Sequence, residues 1–156
     1  MSDRASAEQV LRRFASVVQP VEGKTGVYDV RPEALLAVCR ALLAAGFEYL
    51  SDITAVDYID RGVFRVIYQI GNYQNGDIIV LNAEIPREKP AMVSVAGIWR
   101  AADWLEREVY DMFGIIFEGH PNLQRILLWD GFEGWPLRKD FVHQPSPYQG
   151  RRRLDQ

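Results

Sequence analysis

The sequence is poor in the side chains that most often carry chemistry. Cys39 is its only cysteine, which excludes an internal disulfide and any cysteine-ligated iron–sulfur cluster built from this chain alone, because such clusters usually take four thiolates. A reducing compartment is the simplest reading. The two histidines, His120 and His143, lie far apart without cysteine or paired-histidine spacing, so a metal centre has little support. Glycine-rich phosphate loops, G-x-G-x-x-G and G-x-S-x-G are all missing, which leaves nucleotide binding and serine hydrolase chemistry without a motif. The longest apolar tract, Ala34 to Phe47, is interrupted by Arg40, and no apolar stretch like a signal peptide's lies between Arg4, Arg12 and Arg13; no segment is expected to span a bilayer. Lysine and arginine number 18 against 21 aspartates and glutamates, spread over both halves, so there is no basic field to attract nucleic acid. Internal repeats and low-complexity tracts are lacking as well.

What is present is globular material. A chain of 156 residues with 48% hydrophobic and 25% charged residues fits one domain, which buries about 68–70% of its unfolded surface. Ser6-Ala7-Glu8-Gln9 matches a capping box, and Ala7, Val10, Leu11, Phe14, Val17 and Val18 follow at helical spacing, predicting a first helix that Pro20 ends. A strand over Val27 to Val30 precedes Pro32 at a helix start. Leu35, Leu36, Val38, Cys39, Leu42 and Leu43 then make a buried stripe up to Gly46. From Phe47 to Glu84 the pattern turns to strands: Phe47 to Val56, then Phe64, Val66, Tyr68 and Ile70 alternating with Arg65 and Gln69, then Asp77 to Ile85. Asp60-Arg61-Gly62 and Asn75-Gly76 are the turns. The fold class is α+β: an antiparallel or mixed sheet of about four strands covered by helices, followed by a helix and an extended, irregular C-terminal tail. Within this single domain, residues 1–90 form the body, 91–118 a charged helix segment packing on it, with helix resuming at Ser94, and 119–156 a partner-binding tail.

At about 100° per residue, a helix over Ala101 to Phe113 gathers Ala101, Leu105, Val109, Met112 and Phe113 on one stripe. Asp103, Arg107 and Asp111 descend one flank, where each acid–base pair adds about 0.2–0.5 kcal/mol. Glu108 stands at the edge of the stripe beside Trp104, where a carboxylate is costly unless paired, and is expected to need an arginine. Glu106 faces well around the helix from it. Glu108 and Asp111, one turn apart, are placed to act as a catalytic dyad or metal pair, but no histidine or third carboxylate is fixed beside them by local spacing.

Past Gly114 the chain holds His120-Pro121, Gly131, Gly134, Trp135-Pro136, Pro145 and Pro147, so little regular structure is expected. Yet Leu123, Ile126, Leu127, Leu128, Trp129, Phe132, Trp135, Leu137 and Phe141 make it apolar. Such a tail either lies across a partner protein or folds back over its own sheet.

At Trp104-Leu105-Glu106-Arg107-Glu108-Val109-Tyr110-Asp111-Met112-Phe113-Gly114-Ile115 the chain closely resembles the C-subunit family of complex I, an NADH:quinone oxidoreductase. Gly119 to Leu127 (GHPNLQRIL) and Glu133 to Phe141 (EGWPLRKDF) resemble the family's next and last blocks, and Pro86-Arg87-Glu88 with Pro90 also fits. Trp129 and Trp135 depart from the pattern, standing where a proline and a histidine are common. The resemblance implies a cofactor-free peripheral-arm subunit of a proton-pumping translocase whose FMN, iron–sulfur clusters, NADH and quinone are handled by other chains. It implies the D subunit of that complex as partner with the B and I subunits adjacent, no nucleic acid, and a peripheral place on the cytoplasmic side of the inner membrane, held through the complex. No catalytic, cofactor-binding or metal-binding residue is implied. Instead Glu106, Arg107, Glu108, Asp111, His120, Arg125, Arg138, Lys139 and Asp140 are expected to be structural or partner-contacting, holding the tail to the body and to the D subunit through charge-assisted hydrogen bonds. On this view Glu108→Ala loses assembled complex. Energy-converting hydrogenases and ferredoxin-, plastoquinone- or deazaflavin-linked dehydrogenases use similar subunits, so the electron donor stays open. A free-standing enzyme using Glu108 and Asp111, or an adaptor unrelated to respiration, are readings of another class.

Overall fold

In the computed structural model residues 6–143 are described, so Pro145, Pro147 and the Arg151-Arg152-Arg153 end lie outside the described residues. The first helix, α1 (Ala7–Arg12), starts on the expected capping box: the Ser6 hydroxyl accepts from the Gln9 N–H, and Gln9 Oε1 accepts from the Ser6 N–H. It stops at Arg12, well short of the predicted run to Val18. The reason is a competing use of the β-branched valines, since Val18 opens strand β1 (Val18–Pro20) and pairs with Val30. Strand β2 (Val27–Val30) leads through a 3-10 turn at Pro32–Ala34 into α2 (Leu35–Ala44). Of the predicted stripe, Leu35, Val38, Cys39 and Leu42 are wholly buried, whereas Leu36 is half-buried and Leu43 exposed.

Strands β3 (Tyr49–Tyr58), β4 (Val63–Gly71) and β5 (Ile78–Pro86) form the expected antiparallel meander. Gly76, at φ 74°, supplies the left-handed residue of the second turn. The sheet is mixed and has five strands in the order β1-β2-β5-β4-β3, with β2 parallel to β5. Alternation along β4 decides which face is inside: Phe64, Val66, Tyr68 and Ile70 are fully buried under the helices, while Arg65, Ile67 and Gln69 stay half-exposed on the other face.

After β5 the chain makes a short strand β6 (Ala91–Val93), which pairs in parallel with β7 (Ile116–Glu118). Nothing in the local pattern predicts this second sheet, and it displaces the expected restart of helix at Ser94. Helix α3 begins at Ala101 and ends at Phe113. Its C-cap, Gly114, takes φ 72° and donates to the Tyr110 carbonyl, a conformation that carries almost no penalty in glycine alone. From Gly119 to His143 no helix or strand forms, as the proline and glycine spacing requires.

Candidate functional site

The charged face of α3 and the tail that returns over it form an extensive polar network. It is organised by three carboxylates. Helix rotation differs from the predicted stripe: the buried positions are Ala102, Glu106, Val109, Asp111 and Phe113, whereas Ala101 is exposed and Leu105 and Met112 only half-buried. Glu106, not Glu108, is therefore the carboxylate driven into the core.

Glu106 is fully buried and accepts Ser94 Oγ at 2.6 Å and the Val95 N–H at 2.6 Å. It ties α3 to the segment just after β6. Burial pushes its carboxyl above the ordinary value, against the lowering effect of Ser94, Val95 and His120. His120 closes the same end. Its Nδ1 accepts the Asn122 N–H at 3.0 Å, which places the ring proton on Nε2, 2.9 Å from the Asp103 carbonyl and 4.0 Å from Glu106 Oε2.

Asp111 clamps the tail. Its Oδ2 accepts three consecutive backbone N–H groups, from Ile126 (3.0 Å), Leu127 (2.7 Å) and Leu128 (3.1 Å), and Oδ1 accepts Arg125 Nη1 at 2.9 Å. Burial alone would raise this carboxyl, but the tail N–H groups and Arg125 outweigh it, and the pKa lies below the usual value. Arg125 continues from Asp111 to the Gly134 carbonyl at 2.8 Å, with its guanidinium 4.3 Å over the Trp135 ring.

The third carboxylate, Asp57, sits buried at the end of β3. Arg87, one residue past β5, grips it with two hydrogen bonds of 2.9 and 3.1 Å and reaches Asp140 as well, while Asp57 also accepts the Lys139 N–H at 2.8 Å. Arg138 donates from Nε to the Phe113 carbonyl at 2.6 Å, serving the C-terminal end of α3 where a cation is favoured, and stacks 5.2 Å from the Phe64 ring. Trp135, one of the two departures from the family pattern, packs directly on Gly114.

Of the expected site residues, Glu106, Asp111, His120, Arg125, Arg138 and Asp140 thus hold the tail and its neighbours to the body. Lys139 does so only through its backbone N–H. Arg107 donates to the Gln124 carbonyl at 3.2 Å and lies over Trp104, so the predicted Asp103–Arg107–Asp111 ladder gives way to tail contacts. Glu108 is half-buried and has no hydrogen bond or ion pair among the described residues, so no described arginine of this chain holds it. Asp57, Arg87 and Ser94 are additions that spacing along the chain does not single out. A signal for Asp57 exists, since it shares parity with Ile53 and Ala55 on the inner face of β3, where a carboxylate requires a partner. Among the described residues no group of three His, Cys, Asp or Glu side chains is arranged to hold a metal ion. No described helix is long and apolar enough to cross a membrane.

The chain is similar to known subunits of respiratory complexes. Residues 28–147 match the family of the respiratory-chain NADH dehydrogenase 30 Kd subunit. The C 2 subunit of NADH-quinone oxidoreductase from Rhizobium meliloti (strain 1021) is 40% identical over 85% of this chain and 75% of its own length. The C subunit of the same enzyme from Geotalea uraniireducens (strain Rf4) is 39% identical over 89% of both chains. Among solved structures, a chain of the membrane-bound sulfane sulfur reductase, an archaeal respiratory membrane complex, superposes with a TM-score of 0.76 at 28% identity, covering 86% of this chain and 82% of that one. The trypsin-resistant fragment (1-134) of Nqo5 gives a TM-score of 0.63 at 33% identity, covering 74% and 98%.

Proposed function

The chain belongs to the family of the respiratory-chain NADH dehydrogenase 30 kDa subunit, and we therefore propose that it is a cofactor-free structural subunit in the peripheral arm of a proton-pumping NADH:quinone oxidoreductase. It supports electron transfer from NADH to quinone by binding the D subunit, with the B and I subunits as neighbours, while FMN and iron–sulfur clusters reside in other chains. It sits on the cytoplasmic side of the membrane through those contacts.

The observation that carries this reading is the form of the tail. Asp111, Asp57 and the Phe113 carbonyl hold its backbone and its arginines, and the apolar side chains Leu127, Leu137 and Val142 are left more than half exposed. A segment fixed by its polar groups with its apolar groups outward is built to be covered by another surface. The tail folds back on its own body, and its outward apolar side chains support the reading that a partner covers it. A free-standing enzyme using Glu108 and Asp111 is disfavoured, because both Asp111 oxygens are engaged by the tail and Glu108 has no base or acid bonded to it among the described residues.

The test is a Leu127→Asp, Leu137→Asp double variant in the intact complex. The isolated variant should fold like the wild type, yet fail to co-purify with the other subunits, and membrane NADH:quinone reductase activity should fall with it. Normal assembly and activity would contradict the proposal. The likeness to the archaeal respiratory complex favours a second reading, a related complex with another electron donor. Donor assays on the purified assembly, with NADH against reduced ferredoxin, separate the two.

A further inference from the structure

On the outer face of the sheet, away from α3 and the tail, a cleft of about 450 Å³ lies between β1, β2, β5 and β4. Glu84 of β5 accepts Arg61 Nη2 on one oxygen at 2.7 Å and Arg65 Nη2 on the other at 2.6 Å. Both guanidiniums lie over the Tyr58 ring, at 5.2 and 5.3 Å. One carboxylate and one aromatic ring thus immobilise two arginines in advance, and Glu84 has both oxygens occupied. Asp29, the other acid lining the cleft, accepts Asn82 Nδ2 at 3.0 Å.

Arg31 also lines this cleft. It stands one residue past β2, which borders β5 on the side opposite β4 and its Arg65. Its guanidinium nevertheless makes no hydrogen bond or ion pair among the described residues. Three guanidiniums therefore meet two carboxylates, leaving a net positive charge and one unpaired planar fork. The half-buried side chains of Val17 and Pro32 border it.

We propose that this cleft is a docking site for an acidic side chain of a neighbouring polypeptide, an aspartate or glutamate whose carboxylate pairs with Arg31 and the free N–H groups of Arg61 and Arg65. A guanidinium matches a carboxylate with two parallel hydrogen bonds, and arginines already held in place lose little freedom on forming them. The apolar border beside the charges suits a polypeptide surface more than a free ion. The site lies on the opposite face of the sheet from the helix-covered core, so it gives the chain a second contact independent of the tail. It rests on the reading of this chain as one subunit among several.

The test uses the intact complex carrying Arg31→Lys, treated with a carbodiimide, which joins an amine only to a carboxylate already touching it. A cross-linked peptide joining position 31 to an aspartate or glutamate of another subunit is the expected result. Arg31→Glu should weaken retention of the chain in a salt wash by about fivefold or more, as like charges are brought together. Links only to Asp29 or Glu84 of the same chain, or none, would overturn the docking site while leaving the proposed function intact. A wild-type chain recovered in no larger assembly would overturn both.

Discussion

Ser94 and Glu106 meet inside the protein, the serine hydroxyl donating to Oε2 of the carboxylate over 2.6 Å. Glu106→Ala strands that hydroxyl and the Val95 N–H in the core. Each buried donor left without an acceptor costs about 1–3 kcal/mol, so a loss of about 3 kcal/mol is expected in urea unfolding. Because burial raises the folded carboxyl above its unfolded value, its contribution is complete below the unfolded pKa of about 4.3 and fades as pH rises through the raised folded value. The wild type should accordingly lose stability relative to Glu106→Gln on going from acid to neutral pH. A difference that stays constant across that range would contradict the assignment.

Asp111 carries the opposite sign. Its folded carboxyl lies below the usual value, so its stabilisation is present above the unfolded pKa and is lost as pH falls through the folded one. Asp111→Ala, which leaves Arg125 and three tail N–H groups without their acceptor, should cost about 3–5 kcal/mol. Amide exchange at Ile126, Leu127 and Leu128 should accelerate in that variant before the core strands are affected. Unchanged protection there would show that the clamp does not hold the tail.

Gly114→Ala meets two obstacles, a left-handed φ of 72° and a Cβ that would stand 2.5 Å from the Trp135 ring. The backbone term alone is about 1–2 kcal/mol. Trp135→Ala removes only the collision, so the double variant should be less damaged than the sum of the single ones. Strict additivity in thermal unfolding would mean that the indole does not pack there.

Glu108→Ala should leave the stability of the isolated chain within about 0.5 kcal/mol, as for surface positions without partners. If the variant fails to assemble, a neighbouring polypeptide binds this carboxylate; a large loss of stability in the isolated chain would instead reveal a contact the fold does not contain.

The meander, the capping box and the second helix are legible because each rests on neighbours in sequence. Phe64, Val66, Tyr68 and Ile70 alternate with Arg65 and Gln69, and two-residue periodicity needs no knowledge of the rest of the chain. Spacing alone overextends the first helix because Val17 and Val18 suit a helix stripe and a strand equally well, and pairing of Val18 with Val30 arbitrates from outside the window. It misplaces the α3 stripe for a related reason. An apolar-only count selects Leu105 and Met112, whereas the side chain that enters the core is Glu106, whose oxygens accept hydrogen bonds from Ser94 and Val95.

The α+β class, the charged helix and the tail without regular structure follow from local spacing and from proline and glycine, and the three family blocks are visible residue by residue. Which carboxylate is buried and what each one holds belongs to the folded chain. Asp57 receives Lys139 from 82 positions away and Asp111 receives Leu127 from 16. A hydrogen bond over such distances depends on where the sheet and α3 bring the backbone, and the two residue steps from Glu106 to Glu108 turn the side chain by about 200°, enough to bury one carboxylate and leave the other half-exposed.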